Sequence, residues 1–412
     1  MDGEKIINEV MGGGLRALNK LAESPLVERF GLEDRAQTLV YEGARRMAET
    51  AAKAAKRRSS AKSGERRRSS RKFDLSLSEE QQLMRDTIRR FADEVMEPAS
   101  READERGAPP DGFMEAFAEL GAVQMAVPEG LGGAAESASA VSQMLVAEDL
   151  ARGDMGLAYA ALSPLSFVNA LVLYGDDAQR ARWLPPLLEG DVAEVSVAVV
   201  EPHPLFDPNE PRTSARKQGS GYVLKGAKSA VALASTASQF LVSADLHKVG
   251  PRLFVVDQGA NGLSVIEEPA MGLRSAGLGR LMLDGVKIGE DAMLGGEAAL
   301  GKAGTAAYRS AVDRARIGWG ALAVGASQAV LDYVVPYCNE RVAFGEPISH
   351  RQAVAFMIAN IGIEVESMRM LVYRAAGRLD AGLDSQREAY LARTLCTEKA
   401  MEIGTNGVQL LG

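Results

Sequence analysis

Between Val195 and Ile288 the hydrophobic pattern changes period, and beyond Ala306 it changes back. Upstream, Leu83, Ile88, Phe91 and Val95 recur at helical spacing behind a capping signature, Ser78-Glu-Glu-Gln81. Pro98 is expected to end that helix. A Pro-Pro-Asp turn at 109–111 opens a short helix, residues 138–151 predict another, and 163–189 adds more, closed by Leu-Pro-Pro-Leu at 184–187. From Val195 the residues become β-branched and the runs short. Residues 213–227 predict a hairpin through Gly219-Ser-Gly221, and strands are expected at 240–244, 252–257, 263–267 and 280–288, the last carrying an Asp284-Gly285 turn. Long apolar stripes then predict helices over 306–339, with a bend at Pro336, over 352–379 and over 385–404. A block of short strands held between two helical regions excludes a pure bundle and a doubly wound parallel sheet. The fold class is α+β: a helical N-terminal domain, a small central β-barrel or sandwich, and a C-terminal helical bundle.

The boundaries follow from the same pattern. Residues 73–194 form the helical domain, 195–300 the middle β-domain and 301–412 the bundle. Residues 1–58 read as a helical extension, with Leu18, Leu21, Leu26 and Val27 on one face and Leu39, Val40, Ala44 and Met47 on another. Residues 59–72 are a Ser/Lys/Arg-rich linker with no apolar residue larger than Ala before Phe73, and are expected to be disordered. Ten basic residues against Glu65 between Lys53 and Lys72 give +9 in a chain of net charge −8, so the remainder carries −17. An acidic body and a basic stretch without aromatics exclude a nucleic-acid enzyme. The linker serves as a solvated tether or for peripheral contact with an anionic membrane surface. No run of 18 apolar residues and no secretory signal are seen, and the chain is expected to be cytoplasmic, membrane-associated if the linker engages a surface. Cys338 and Cys396 read as buried thiols. His203, His247 and His350 share no metal-ligand spacing, and no metal site is expected.

Four strings in order resemble the acyl-CoA dehydrogenase family: VPEGLGG at 127–133, LYGDDAQRARWLPPLLEGD at 173–191, NERVAFGEPISHRQAVAFMIANI at 339–361 and NGVQLLG at 406–412. The resemblance covers 73–412. It implies FAD as cofactor, an acyl-CoA thioester as substrate, and α,β-dehydrogenation with hydride transfer to the flavin. It further implies a homodimer or homotetramer and an electron-accepting flavoprotein partner. By this resemblance Arg341 and Phe344 contact FAD in a neighbouring subunit. Gln352, Gln409 and Gly412 map onto further cofactor-contacting positions. Val199 and Val200 lie in the flavin-lining segment, and Asp313 and Arg316 on the CoA-contacting helix.

The chain also departs from the family. Where many members have Thr-Glu-Pro, small residues and Ser-Asp, this sequence reads VVEPHPLFDP over 199–208: Val200 replaces Thr and Phe206 replaces Ser. Ala230-Val231-Ala232 stands for the Trp-Ile-Thr beside the flavin ring, so a ring contact at Ala230 and a hydroxyl at Ala232 are lost. FAD binding is therefore expected to be weak. Removing an α-proton requires a desolvated carboxylate base and donors at the thioester oxygen. Some members place that base at the position of Ala315, and most place it after the motif in which Gly412 falls. No residue here is assigned as catalytic, and the 412 residues alone are expected to lack dehydrogenase activity. The alternative is a non-catalytic acyl-CoA dehydrogenase-like binding or scaffold protein.

The basic stretch generates a prediction. Trypsin should cut within 59–72 before any other segment, leaving a folded body that starts near Phe73. Salt-sensitive binding to anionic vesicles should belong to the intact chain and vanish in the trimmed one. Equal binding by both forms, followed by co-sedimentation, leaves only the tether.

Overall fold

The structure, a computed structural model, describes residues 77–190 and 195–412. The N-terminal extension and basic linker lie outside the described residues. Helix α1 (Glu79–Phe91) begins at the expected capping box, in which Ser78 Oγ accepts from Gln81 N and Gln81 returns the bond to Ser78 N. The chain does not stop at Pro98. A π-helical turn, Ala92–Met96, carries it into α2 (Glu97–Arg106), whose first turn holds the proline. Proline lacks an N–H and crowds the carbonyl four residues back. The wider turn accommodates both, with Glu97 N bonded to Ala92 O. Helices α3 (Phe113–Glu119), α4 (Ala122–Ala126), α5 (Ala140–Gly153), α6 (Met155–Tyr174) and α7 (Asp177–Glu189) follow. The expected helix over 163–189 is thus two, broken at Gly175 and recapped by Asp176.

The middle of the chain is a curled seven-stranded sheet of β1 (Val195–Ala198), β2 (Ser214–Gln218), β3 (Gly221–Val231), β4 (Gln239–Leu246), β5 (Gly250–Asp257), β6 (Leu263–Glu267) and β7 (Gly279–Ile288). Its order is β1-β4-β2-β3-β7-β6, with β5 on β4. Only β1·β4 and β2·β4 pair parallel, so it is no doubly wound sheet. The β2–β3 hairpin turns where expected. Asp284-Gly285 is not a turn but a bulge inside β7: Lys225 faces Asp284 while Leu224 faces Val286. Gly285 absorbs the extra residue at φ 71°.

The bundle consists of α8 (Lys302–Glu340), α9 (Gln352–Asp380) and α10 (Gln386–Leu411), with a two-residue hairpin, β8 (Val342–Ala343) and β9 (Glu346–Pro347), between α8 and α9. Helix α8 runs unbroken through Pro336, and α10 extends well past the expected end at 404, so NGVQLLG is helical. Cys338 and Cys396 are buried and free, as expected. Helices α6 and α8 are long and apolar enough to cross a membrane by length and composition alone, but 72% of the α6 window is buried inside this fold. One apolar core runs through all three units, and a second fills the interior of the curled sheet. Helix α8 meets α5 at Gly325, where a Cβ would lie 2.0 Å from the Glu148 carbonyl oxygen.

Two buried polar assemblies lock the units. In the first, Arg85 of α1 reaches Asp149 of α5 at 2.7 Å, and Arg369 of α9 reaches Glu148 at 3.0 Å. In the second, the fully enclosed Lys228 ammonium on β3 lies 2.8 Å from Glu201 Oε1 and donates to Ser243 Oγ and Val199 O. Glu201 also accepts from Thr213 N and Arg212 N. Burial alone would raise its carboxyl, but the Lys228 ammonium and the Thr213 N–H outweigh burial and hold it down at about 2.

Removing one partner leaves the other charged and buried, so Lys228→Ala should cost about 3–5 kcal/mol in urea unfolding, and Lys228→Met with Glu201→Gln should recover part of it. Because the folded Glu201 value lies below the unfolded 4.5, its contribution is complete above pH 4.5 and is lost as pH falls toward 2. Glu201→Gln should flatten the acid limb of the stability curve. An unchanged acid limb removes Glu201 from that role.

Candidate active site

The segment leaving β1 is built on Glu201. Val199 and Val200 give their carbonyls to Lys228 Nζ (3.1 Å) and Ser229 N (2.9 Å), while the Val200 side chain stays exposed. Beyond Pro202 the chain turns outward. Leu205 is wholly exposed in the left-handed region at φ 56°, where a side chain is strained, and the Phe206 ring meets His203 edge-on at 5.7 Å. Tyr308 of α8 fastens the end of the loop by donating to Pro208 O at 2.5 Å. These contacts bring 199–209 against the N-terminal part of α8.

A cleft of about 440 Å³ opens there, lined by Asp207, Asn209, Arg316, Arg387 and Tyr390 among others. The Arg316 guanidinium lies 5.4 Å above the Tyr390 ring and 3.3 Å from Asp313 Oδ1. Asp313 is 7% exposed, so this is a buried pair and not the solvated one its i,i+3 spacing alone suggests. Burial raises the Asp313 carboxyl, with Arg316 pulling the other way. Ala315 sits on the exposed face of the same turn and brings no polar atom.

The three units meet at Ala230, which has φ 52°. Its N–H donates to Glu268 Oε2 (2.6 Å), and its carbonyl accepts from Tyr159 Oη (2.8 Å). Burial lifts the Tyr159 phenol to about 12, so it remains a donor. The Tyr159 ring packs on Trp319 of α8 with centroids 4.9 Å apart. Ala232 has no exposed surface, and its carbonyl takes the Ser196 hydroxyl at 2.6 Å. The chain turns inward at Ala232, whose side chain is enclosed, so any cofactor contact there falls to the backbone.

The remaining sequence-predicted residues gather at the other end of the bundle. Arg341, Phe344, Gln352, Gln409 and Gly412 are all exposed. Tyr337 Oη donates to Leu411 O and ties the ends of α8 and α10 together. Phe344 is 96% exposed at φ 56°, with Arg351 5.6 Å from its ring centroid. Arg316 and Arg341 are twenty-five residues apart on α8 and its cap, about 38 Å at 1.5 Å per residue. One chain therefore does not bring Arg341 and Phe344 to Val200 and Ala230.

Sequence reasoning missed Tyr159, Trp319, Tyr390 and Lys228. The available signal was that Trp319, one of two tryptophans, stands one helical turn beyond Ala315. Among the described residues no cluster of His, Cys, Asp and Glu could hold a metal ion.

Models of the acyl-CoA dehydrogenase N-terminal, middle and C-terminal domains match residues 78–191, 196–286 and 302–412. The short-chain specific acyl-CoA dehydrogenase of Bos taurus mitochondria is 31% identical over 345 residues, 82% of each chain. Butyryl-CoA dehydrogenase from Megasphaera elsdenii superposes with a TM-score of 0.74 at 28% identity, over 82% of this chain and 89% of that one. A glutaryl-CoA dehydrogenase from Mycobacterium smegmatis, solved with FADH2, gives 0.72 at 27%, over 82% and 85%. The order of domains, the curled sheet between them and these matches together show that the chain belongs to the acyl-CoA dehydrogenase family.

Proposed function

We propose that the chain binds FAD and an acyl-CoA thioester and carries out flavin-dependent α,β-dehydrogenation as a homo-oligomer. The observation that carries the proposal is the cleft beside Arg316, which lies where loop 203–209 meets α8 in a chain of this family. Its chemistry is mixed: Arg316 and Arg387 can answer phosphate charge, Asp207 and Asp384 can take hydroxyl and amide donors, and Asn209 and Tyr390 can bond or pack against the amide-bearing arm.

The chain's residues also fit a flavin dinucleotide. The exposed Arg341 guanidinium suits a pyrophosphate, and the exposed Phe344 ring, held at φ 56°, suits an aromatic face. Their separation from Val200 supports a role for them at a second copy's site. Gln352, Gln409 and Gly412 share that surface. When bound, the flavin supplies the acceptor for the β-hydride. The protein's part is to orient the thioester, exclude water and hold a base at the α-carbon. Ala315 supplies no base, so the carboxylate comes from another position. An electron-accepting flavoprotein is the matching redox partner.

A second reading, a non-catalytic binding or scaffold protein, is favoured by the same alanine and by the filled space at Ala230. Anaerobic bleaching of added FAD by acyl-CoA separates the two. The chain should bind CoA and bleach the flavin slowly, and Ala315→Glu should bleach it faster by up to roughly 10²-fold. CoA binding without bleaching in either form supports the scaffold. Arg341→Ala should weaken FAD by about 1.5–3 kcal/mol, and Arg316→Ala should weaken CoA by a similar amount. Equilibrium dialysis checks both, and an unchanged FAD affinity takes Arg341 out of the site.

A further inference from the structure

We infer that His203 is a positioning residue that fixes loop 203–209, one wall of the Arg316 cleft, as an imidazolium and releases it as the neutral ring. The inference takes its ligand from the CoA reading above and goes beyond it. The ring nitrogens carry the argument. Nε2 lies 3.2 Å from Glu201 Oε2, and Nδ1 lies 3.1 Å from the carbonyl oxygen of Pro204. Both oxygens only accept, because the Glu201 carboxyl is held down at about 2 and is ionised. A neutral imidazole has one N–H and turns a lone pair toward the other oxygen. Only the imidazolium donates to both.

The bonds matter because the backbone around them is stiff. His203 stands between Pro202 and Pro204, with Pro208 beyond, and each proline fixes its own φ and restricts the residue before it. The His203 N–H closes onto Glu201 O at 2.8 Å, and the ring meets Phe206 edge-on. Next along the chain, Asp207 Oδ1 accepts from Asn209 N at 2.9 Å, and both residues line the cleft. Between them and His203 lies Leu205 in its strained conformation at φ 56°. Losing a bond at His203 lets Leu205 relax, and Asp207 and Asn209 move with it. The other charged and titratable groups at this corner are Lys228 of β3, Tyr308 of α8, Asp207 of the loop itself and Arg212 after it. Lys228 is 2.8 Å from Glu201 Oε1, burial keeps the Tyr308 phenol protonated, and Arg212 gives Glu201 only its backbone N–H. Burial pushes Lys228 down to about 8, so its change of charge is centred above the range where histidines usually titrate. The bonds at His203 are therefore complete below that range and are lost as pH rises through it.

The test uses dephospho-CoA, whose diphosphate keeps its charge between about pH 5.5 and 7.5, and titration calorimetry on the full chain. Wild-type affinity should fall about fivefold across that range, the equivalent of one hydrogen bond. His203→Gln keeps a donor for Glu201 but does not titrate, so its affinity should lie between the two wild-type limits without the slope. His203→Phe keeps a ring against Phe206 and offers no donor, so it should bind at the wild type's high-pH level throughout. Without ligand, the ¹³C-labelled methyl signals of Leu205 should move over the same range in the wild type and stay still in His203→Gln. An equal slope in wild type and His203→Gln overturns the role of His203, as do Leu205 signals that ignore pH in the wild type. Moving Leu205 signals without dephospho-CoA binding by any form uphold His203 at the loop and overturn the CoA reading of the cleft.

Discussion

One buried carboxylate organises the functional side of this molecule. Glu201 sits where the chain leaves β1 and accepts from the Lys228 ammonium and from the N–H groups of Arg212 and Thr213, with His203 Nε2 3.2 Å away. A carboxylate with so many donors has one position. Through Lys228 it is tied to β3, and through Thr213 to the strand that follows the loop. The loop between them, 203–209, is consequently anchored at both ends although its tip is exposed and strained at Leu205. Asp207 and Asn209, which that anchored loop carries, line the cleft beside Arg316. A desolvated pair of this kind is a poor way to gain net stability but an effective way to select one arrangement of a chain segment.

Beside the anchor, bulk has been redistributed. The β-domain offers only alanines at 230 and 232, whereas α6 and α8 bring Tyr159 and Trp319 into the same junction. The junction is filled from the helical side. The Tyr159 hydroxyl bonds the carbonyl of Ala230, so the aromatic pair is attached to the strand whose own side chains are small. Both helices are seated against their neighbours by glycines whose missing Cβ leaves no slack.

Much of this fold is legible in the sequence, for identifiable reasons. The change of period at Val195 and the Ser78 and Gln81 signature are local signals, and local structure followed them. Pro98 misled because a proline ends a helix only when nothing nearby widens the turn. Asp284-Gly285 misled because the same dipeptide serves a two-residue turn and a bulge, and only the partner strand distinguishes them. Of the candidate site residues, Arg316 and Asp313 come together as their spacing requires. Ala232 is enclosed because the chain turns inward after β3, which no spacing reveals. Tyr159 and Trp319 are 160 residues apart and could be paired only by the packing of α6 on α8.

The length of α8 has a genetic consequence. If Arg341 serves a second copy's site as proposed, damage at Arg316, in the first half of α8, and damage at Arg341, its C-terminal cap, fall on different sites of an assembled pair. A copy broken at Arg341 then keeps an intact cleft, and a copy broken at Arg316 keeps an intact Arg341 turn. Expressed together, such alleles can assemble hybrid pairs in which one of the two sites draws both halves from sound ends, so two null alleles complement each other without recombination.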